Sequence, residues 1–324
     1  MGSGTMKAIR YYQEGSPEVL VYEDVPRPSA GPGEVLIRVY AAGVNPADWH
    51  ARAGFPDVPE SFRNAIPRIS LPSIPGLDVS GIVEAVGSEV TAFRVGDAVY
   101  GMVRFPNGGK AYAEYTIAPV TDLALKPATI DYLQAGAVPM PALTAWQMFY
   151  LDLDRGQTVL VNGAAGGVGH FAVQLAKLKG AHVIGVASGR HAAFVRELGA
   201  DDFLDYTVTP VAQELHDIDV VFDTVGGDNR HLLSVLKHGG RFIPINLGSI
   251  SAEDAARVGI TFGTSHHHPL QSSGSQLAEI GTLIDQDKLH VALDMVVPLA
   301  EARKAHERGE SGHLQGKIVL RVRE

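Results

Sequence analysis

Four short stretches carry residue types at spacings that can do chemistry. The first is Val159-Leu160-Val161-Asn162-Gly163-Ala164-Ala165-Gly166-Gly167-Val168-Gly169, where an apolar strand-like run passes through a glycine-rich turn into a segment of helical period. The spacing is that of G-x-G-x-x-G with Ala164 in the first place. Small residues there let a backbone approach a pyrophosphate, and the helix start offers free N–H groups and a positive dipole end. About 20 residues further on, where sites for NAD place Asp or Glu against the ribose 2′-hydroxyl, stands Ala187-Ser188-Gly189-Arg190-His191. This window holds no carboxylate. Arg190 is placed to face a 2′-phosphate with Ser188 as a hydrogen-bond donor, which predicts NADPH rather than NADH. The remaining two stretches, Asp223-Thr224-Val225-Gly226-Gly227 and Ile245-Asn246-Leu247-Gly248, each follow a strand-like run. They are expected to reach the ribose or nicotinamide. The cofactor-binding candidates are therefore Ala165, Gly166, Gly167, Val168, Ser188, Arg190, Val225, Asn246, Leu247 and Gly248.

The elements that must hold these loops alternate. Strands are expected at Thr158–Val161, His182–Ala187, Asp202–Leu204, Val220–Phe222 and Arg241–Ile245, with helices near Val168–Lys179, His191–Leu198 and Arg230–Leu236. Short strands continuous in Val, Ile and Leu are those buried on both faces, so the pattern predicts a doubly wound parallel sheet. The first third differs. Glu34–Val39, Val79–Val86 and Ala98–Val103 read as strands among Gly and Pro turns, and the prolines from Pro56 to Pro72 mark a long loop expected to rim the pocket. A helical stretch from Ile130 to Asp152 breaks near Pro139 and Pro141. Near the end come helices at Ser275–Asp287 and Leu299–Arg308 and a strand at Gly316–Val322. The expected fold class is α/β, with a Rossmann sheet at 125–262 inserted into a β-rich domain formed by 1–124 and 263–324.

The 324 residues include 45 % hydrophobic and 19 % charged side chains, enough for two buried cores. A net charge of −9 gives no basic footprint for nucleic acid or an anionic membrane. The absence of cysteine excludes disulfides, thiolate zinc sites, iron–sulfur clusters and a thiol nucleophile. The stretch without formal charge from Gly156 to Ala176 is broken by glycines, and no secretory leader is recognised, so a soluble, cytoplasmic protein is expected. Residues 1–5 read as an added stretch ahead of a native Met6. His266-His267-His268 is not read as a metal site: neighbouring side chains on an extended chain face opposite ways, and no carboxylate is close in sequence. Asp48 and Arg52 have the spacing of a helical ion pair, and Trp49 and Trp146 are expected to pack.

Taken in order, the motifs resemble a known family. They are Gly33-Glu34-Val35-Leu36, Gly43-Val44-Asn45-Pro46-Ala47-Asp48-Trp49, Ile74-Pro75-Gly76-Leu77-Asp78-Val79-Ser80-Gly81, Val95-Gly96-Asp97, Leu143-Thr144-Ala145-Trp146, the glycine loop, Leu198-Gly199-Ala200-Asp201, and Gly312-His313-Leu314-Gln315-Gly316-Lys317-Ile318-Val319-Leu320. From Met6 to Val322 the chain resembles the medium-chain dehydrogenase/reductase superfamily, in its zinc-free quinone-oxidoreductase (zeta-crystallin-like) branch. The resemblance implies a GroES-like catalytic domain around the Rossmann domain. It also implies an NADPH-dependent, zinc-independent reductase acting on a quinone or an α,β-unsaturated carbonyl, and a homodimer formed through edge strands. Zinc-dependent relatives carry Cys where this chain has Asn45 and Gly-His-Glu where it has Gly76-Leu77-Asp78. Asn45 matches the family's pocket asparagine, Thr144 the residue beside the nicotinamide, and Tyr206 a tyrosine near the 2′-phosphate. His50 stands where the branch carries a tyrosine; it can serve as donor or acid, or be a solvated loop residue. Two alternatives stay open, an enoyl-thioester or biosynthetic enone reductase and a non-catalytic NADPH-binding protein.

Overall fold

The computed structural model describes residues 4–56, 69–245, 250–263 and 269–324. Two sheets dominate it. Six strands form a sheet parallel throughout, ordered Asp202–Asp205, His182–Ala187, Thr158–Asn162, Ile218–Asp223, Leu236–Pro244 and Thr261–Phe262. Numbered along the chain, this order is 3-2-1-4-5-6, the arrangement that opens a ligand crevice where the order reverses. Its strands are buried on both sides, and alternate side chains serve different cores. Val159, Val161, Val220 and Phe222 enter one core, with Phe149 stacked on Phe222 at 4.5 Å, while Leu160, Val221, Ile184 and Phe242 enter the other. That period-two division is why the strands read as unbroken apolar runs.

The second sheet has seven strands: Leu293–Pro298, Lys317–Arg321, Glu34–Val44, Asp78–Val86, Ala98–Met102 and Leu123–Leu125 in order, with Tyr115–Pro119 added beside Glu34–Val44. The last strand of the chain pairs antiparallel with an early one, Ile318 opposite Val44 and Val319 opposite Gly43. The two ends of the sequence thus meet in one sheet, and Lys317 arrives beside Val44 and Asn45. A separate hairpin joins Thr5–Arg10 to Val21–Pro26.

Two expectations need correction. Arg230–Leu236 is not an α-helix; Arg230–Val235 is a 3-10 turn, and Leu236 begins the next strand. The segment lacks a side-chain cap at Asn229, and it ends after six residues where Leu236 is taken up by the sheet. The Asp48–Arg52 pair does not form. Arg52 turns from its helix, Pro46–Arg52, to Gly15 O, His306 Nδ1 and Glu310. Trp49 packs against Gly309, and Trp146 lies over Tyr150 at 4.4 Å between ring centres.

Candidate active site

The glycine loop is shaped by close approaches and leaves one opening. Gly163 takes φ +81°, and a side-chain carbon there would lie 2.5 Å from Thr224 Oγ1. The N–H groups of Gly163 and Ala164 both donate to Val186 O, tying the loop to the neighbouring strand. A side-chain carbon on Gly169 would come within 2.1 Å of Gly163 O, so the helix can start there only from glycine. On Gly166 the nearest atom to such a carbon is 3.4 Å away, and that face is open. The helix Gly169–Lys179 begins from Val168, which supplies no side-chain acceptor; His170 N donates to Gly166 O, and Phe171 N and Ala172 N donate to Val168 O, so the N–H groups just ahead of them, at the end of the loop, are the ones that can face an anion. Gly167 plays a different part: a side-chain carbon there would meet Lys317 Cδ at 2.8 Å. Its missing side chain makes room for a lysine from the other end of the chain.

Beyond the loop lies a depression of about 560 Å³ lined by Ser188, Gly189, Arg190, Asp205, Tyr206, Thr207 and His313. Ser188, Arg190 and Tyr206 are thus brought together, as expected. Ser188 Oγ is buried with no hydrogen-bond partner among the described residues. An orphaned hydroxyl beside a guanidinium is what a bound phosphate or ribose would satisfy. Arg190 is held by Nε to His191 Nε2 at 3.1 Å and by Nη2 to His313 O at 3.3 Å. The sequence window contains no carboxylate, but the fold supplies one. Asp205 stands opposite Ala187 in the parallel register and reaches the same pocket. Hydrogen bonds, first from the Thr207 hydroxyl, then from the N–H groups of Thr207 and Gly189, hold its carboxyl below the usual range. Val225 is exposed on the loop after Asp223, whose buried carboxylate binds Asn162, Asn229 and Val225 N. Asn246, Leu247 and Gly248 lie outside the described residues, as do His266–His268 and residues 57–68 of the proline-rich loop.

At the other end, Asn45 and Thr144 are joined by one buried polar frame. Lys317 Nζ donates to Val44 O at 2.7 Å and to Asn45 Oδ1 at 2.5 Å. Asn45 Nδ2 donates to Asp78 Oδ2 at 2.9 Å, and Asp78 Oδ1 accepts from Met140 N at 2.9 Å. Thr144, on the helix Pro139–Met148, donates its hydroxyl to Met140 O at 2.7 Å. At the near end, Gly316 N donates to Ala165 O at 2.8 Å. The glycine loop, Lys317, Asn45, Asp78 and the Thr144 helix therefore form a single connected unit spanning both sheets.

This frame is charged. Burial pushes Asp78 well up from the ordinary carboxylate range, with the Lys317 ammonium opposing, and burial draws Lys317 down. Asp48 is pushed up to about 6, first by burial, against hydrogen bonds from Asn45 N, Tyr112 and Gly76 N and the Lys317 charge. A branch runs on from Asp48: Tyr112 OH lies 3.3 Å from Asp48 Oδ2, and His306 Nε2 lies 3.3 Å from Tyr112 OH. Arg52 Nη1 can only donate to His306 Nδ1, so that ring is neutral with its proton on Nε2. Burial and the Arg52 charge hold it at about 3. His170, next to the loop, donates Nδ1–H to Gly166 O and is drawn down to about 4 by burial, so it too is neutral. Its Nε2 has no partner among the described residues. His50 lies half-buried in the helix Pro46–Arg52 rather than in a solvated loop, its ring 6.2 Å from Trp49. Sequence reasoning left out Asp48, Asp78, Lys317, Asp205 and His313. Four of them sit inside the quoted motifs, and only their mutual placement reveals them.

Comparison with known proteins places this geometry. Residues 31–128 match the alcohol dehydrogenase GroES-like domain and residues 198–320 the zinc-binding dehydrogenase domain. The chain is 32 % identical to the chloroplastic quinone-oxidoreductase homologue of Spinacia oleracea, over 99 % of both chains. Its fold follows the quinone oxidoreductase of Coxiella burnetii with a TM-score of 0.89 at 35 % identity, covering 99 % of this chain and 100 % of that one. A mycobacterial protein solved with NADPH has a TM-score of 0.84 at 31 % identity, with coverage of 98 % and 100 %. The chain belongs to the medium-chain dehydrogenase/reductase family, in its quinone-oxidoreductase branch, and is an oxidoreductase. The spinach relative is chloroplastic by name, so membership of the family fixes no compartment. Among the described residues no helix is long and apolar enough to cross a membrane.

The zinc in the second domain's description does not fit these residues. Leu77 is hydrocarbon and buried, Asn45 has its amide committed to Asp78 and Lys317, and both oxygens of Asp78 accept hydrogen bonds. The adjacent cation is already an ammonium. Among the described residues no group of three or more His, Asp or Glu is placed to hold a metal.

Proposed function

We propose that the chain is an NADPH-dependent, zinc-independent reductase that delivers hydride to a quinone or an α,β-unsaturated carbonyl. The observation that carries the reading is the connected frame from the glycine loop through Lys317 and Asn45 to Asp78 and the Thr144 helix. Gly166 and the uncapped helix start take the pyrophosphate, while Ser188, Arg190 and Tyr206 take the 2′-phosphate. When bound, the nicotinamide supplies the hydride. Negative charge then grows on the conjugated oxygen of the acceptor. Lys317 and Asp78 hold the Asn45 amide in one orientation, so its remaining N–H meets that oxygen without reorganisation. Thr144, fixed to Met140 O, walls the nicotinamide side, and His50 supplies the proton that completes reduction. The reading includes a homodimer through the cofactor-sheet edge, where Thr261–Phe262 is outermost; light scattering reads that state.

The test is NADPH consumption with a 1,4-quinone and a simple enone side by side, with NADH as control. Turnover of either acceptor, faster with NADPH, is the expected result, and the better acceptor assigns the chemistry. Tight NADPH binding without turnover of either acceptor overturns it.

A further inference from the structure

The pocket beyond the glycine loop holds a contradiction that the proposed function does not use. Its guanidinium and orphaned hydroxyl suit a phosphate monoester, yet Asp205 puts a carboxylate in the same depression. The two charges do not cancel each other: among the described residues no ion pair joins Arg190 to Asp205. The Arg190 guanidinium is turned to His191 and His313, whereas Asp205 is turned to its own turn. Thr207 occupies Oδ1 with both its N–H and its hydroxyl, at 2.9 and 2.7 Å. Oδ2 stands over Gly189, whose N–H also hydrogen-bonds this carboxyl and where a side-chain carbon would come within 2.2 Å of it. This oxygen retains lone pairs on the pocket side of the sheet end, level with Ala187 and Ser188. A carboxylate there accepts a hydrogen bond from a ribose hydroxyl and repels a doubly charged phosphate.

Resting on the NADPH reading of this pocket, we propose that Asp205 is a second determinant of cofactor choice. It opposes the 2′-phosphate that Arg190 and Ser188 favour and accepts the free 2′-hydroxyl of NADH, so one pocket serves both dinucleotides. A carboxylate at this point is invisible to a reading that looks for it at the end of the second strand, because it comes from the third. Glycine at 189 is part of the device, since any side chain there would displace Oδ2.

The test is Asp205→Asn, which keeps an oxygen for Thr207 and removes the charge, with Asp205→Ser as a second variant of different turn chemistry. Binding of 2′,5′-ADP and of ADP is measured by calorimetry, and kcat/KM is measured with NADPH and with NADH. Both variants are expected to bind 2′,5′-ADP roughly three- to tenfold more tightly, with the NADPH-to-NADH ratio rising by the same factor through KM. Arg190→Ala separates the two ideas. If Arg190→Ala collapses the ratio and neither Asp205 variant moves it by more than twofold, Asp205 has no part in the choice. If none of the three changes the discrimination between 2′,5′-ADP and ADP, the pocket is not the 2′ site, and the cofactor part of the proposed function fails with it.

Discussion

Replacing Asp48 with asparagine removes one titrating group from the centre of the buried frame, and its effect on stability can be worked out in advance. Asp48 is 4 % exposed. Its Oδ2 accepts from Asn45 N at 2.9 Å and Tyr112 OH at 3.3 Å, and its Oδ1 accepts from Gly76 N at 3.2 Å. Burial wins over these bonds and raises the carboxyl from 3.8 to about 6. In the unfolded chain the group loses its proton near 3.8, whereas in the folded chain it keeps it until about 6. The stabilising contribution is therefore full below 3.8, falls through that window, and is gone above it. At 1.36 kcal/mol per pH unit, the window is worth about 3 kcal/mol. Asparagine cannot titrate, so Asp48→Asn has no such slope. It has a fixed cost instead: its amide N–H faces the Gly76 N–H, and an unsatisfied buried donor costs roughly 1–3 kcal/mol. Urea unfolding of both proteins at pH 4, 5, 6 and 7 reads the difference, in which titrations away from this frame cancel. The advantage of the native protein over the variant should shrink by about 2 kcal/mol from pH 4 to 7, since at pH 4 the unfolded carboxyl is already partly ionised. Parallel stability curves would refute the assignment of the raised carboxyl to Asp48.

Three other outcomes follow from the same geometry. Lys317→Met leaves Asp78 and Asp48 without the buried ammonium that opposes their desolvation, at a cost of about 3–5 kcal/mol. Both carboxyls rise further, so the drop in thermal midpoint should be larger at pH 8 than at pH 6; an equal drop would contradict it. Ser188→Ala removes a buried hydroxyl without a partner and should raise the cofactor-free midpoint by about 2 °C while weakening NADPH binding severalfold, read by thermal shift and titration. Gly169→Ala drives a carbon into the Gly163 carbonyl, whereas Gly167→Ala meets only the flexible stem of Lys317. The first should abolish cofactor binding and the second only reduce it, as NADPH titration of the two variants would show.

Much of this protein can be read from the sequence because the relevant physics is local. A strand buried on both faces must be continuous in Val, Leu and Ile, so Thr158–Asn162 and His182–Ala187 announce themselves to within a residue. The glycine loop declares its turn because Gly163 takes a positive φ and Gly169 meets the Gly163 carbonyl only six residues away. The helix Gly274–Asp285 follows from its apolar spacing. Strands such as Tyr115–Pro119, Leu293–Pro298 and Thr261–Phe262 escape notice, because each is short, flanked by other elements, and made a strand only by the partner it meets.

The candidate site divides in the same way. Ser188 and Arg190 are visible because motif spacing marks them, and Asn45, Thr144 and Tyr206 through the family resemblance. What tertiary structure alone decided is which charges share a cavity. Lys317 is 272 residues from Asn45 in sequence and 2.5 Å from its amide oxygen, and that distance exists only because the last strand pairs with an early one. Asp205 reaches the pocket of Ser188 and Arg190 because a parallel register sets it opposite Ala187. Residue type and local period determine which elements form. The pairing of distant strands determines which side chains are buried together, and burial in company, rather than residue identity, is what shifts a proton.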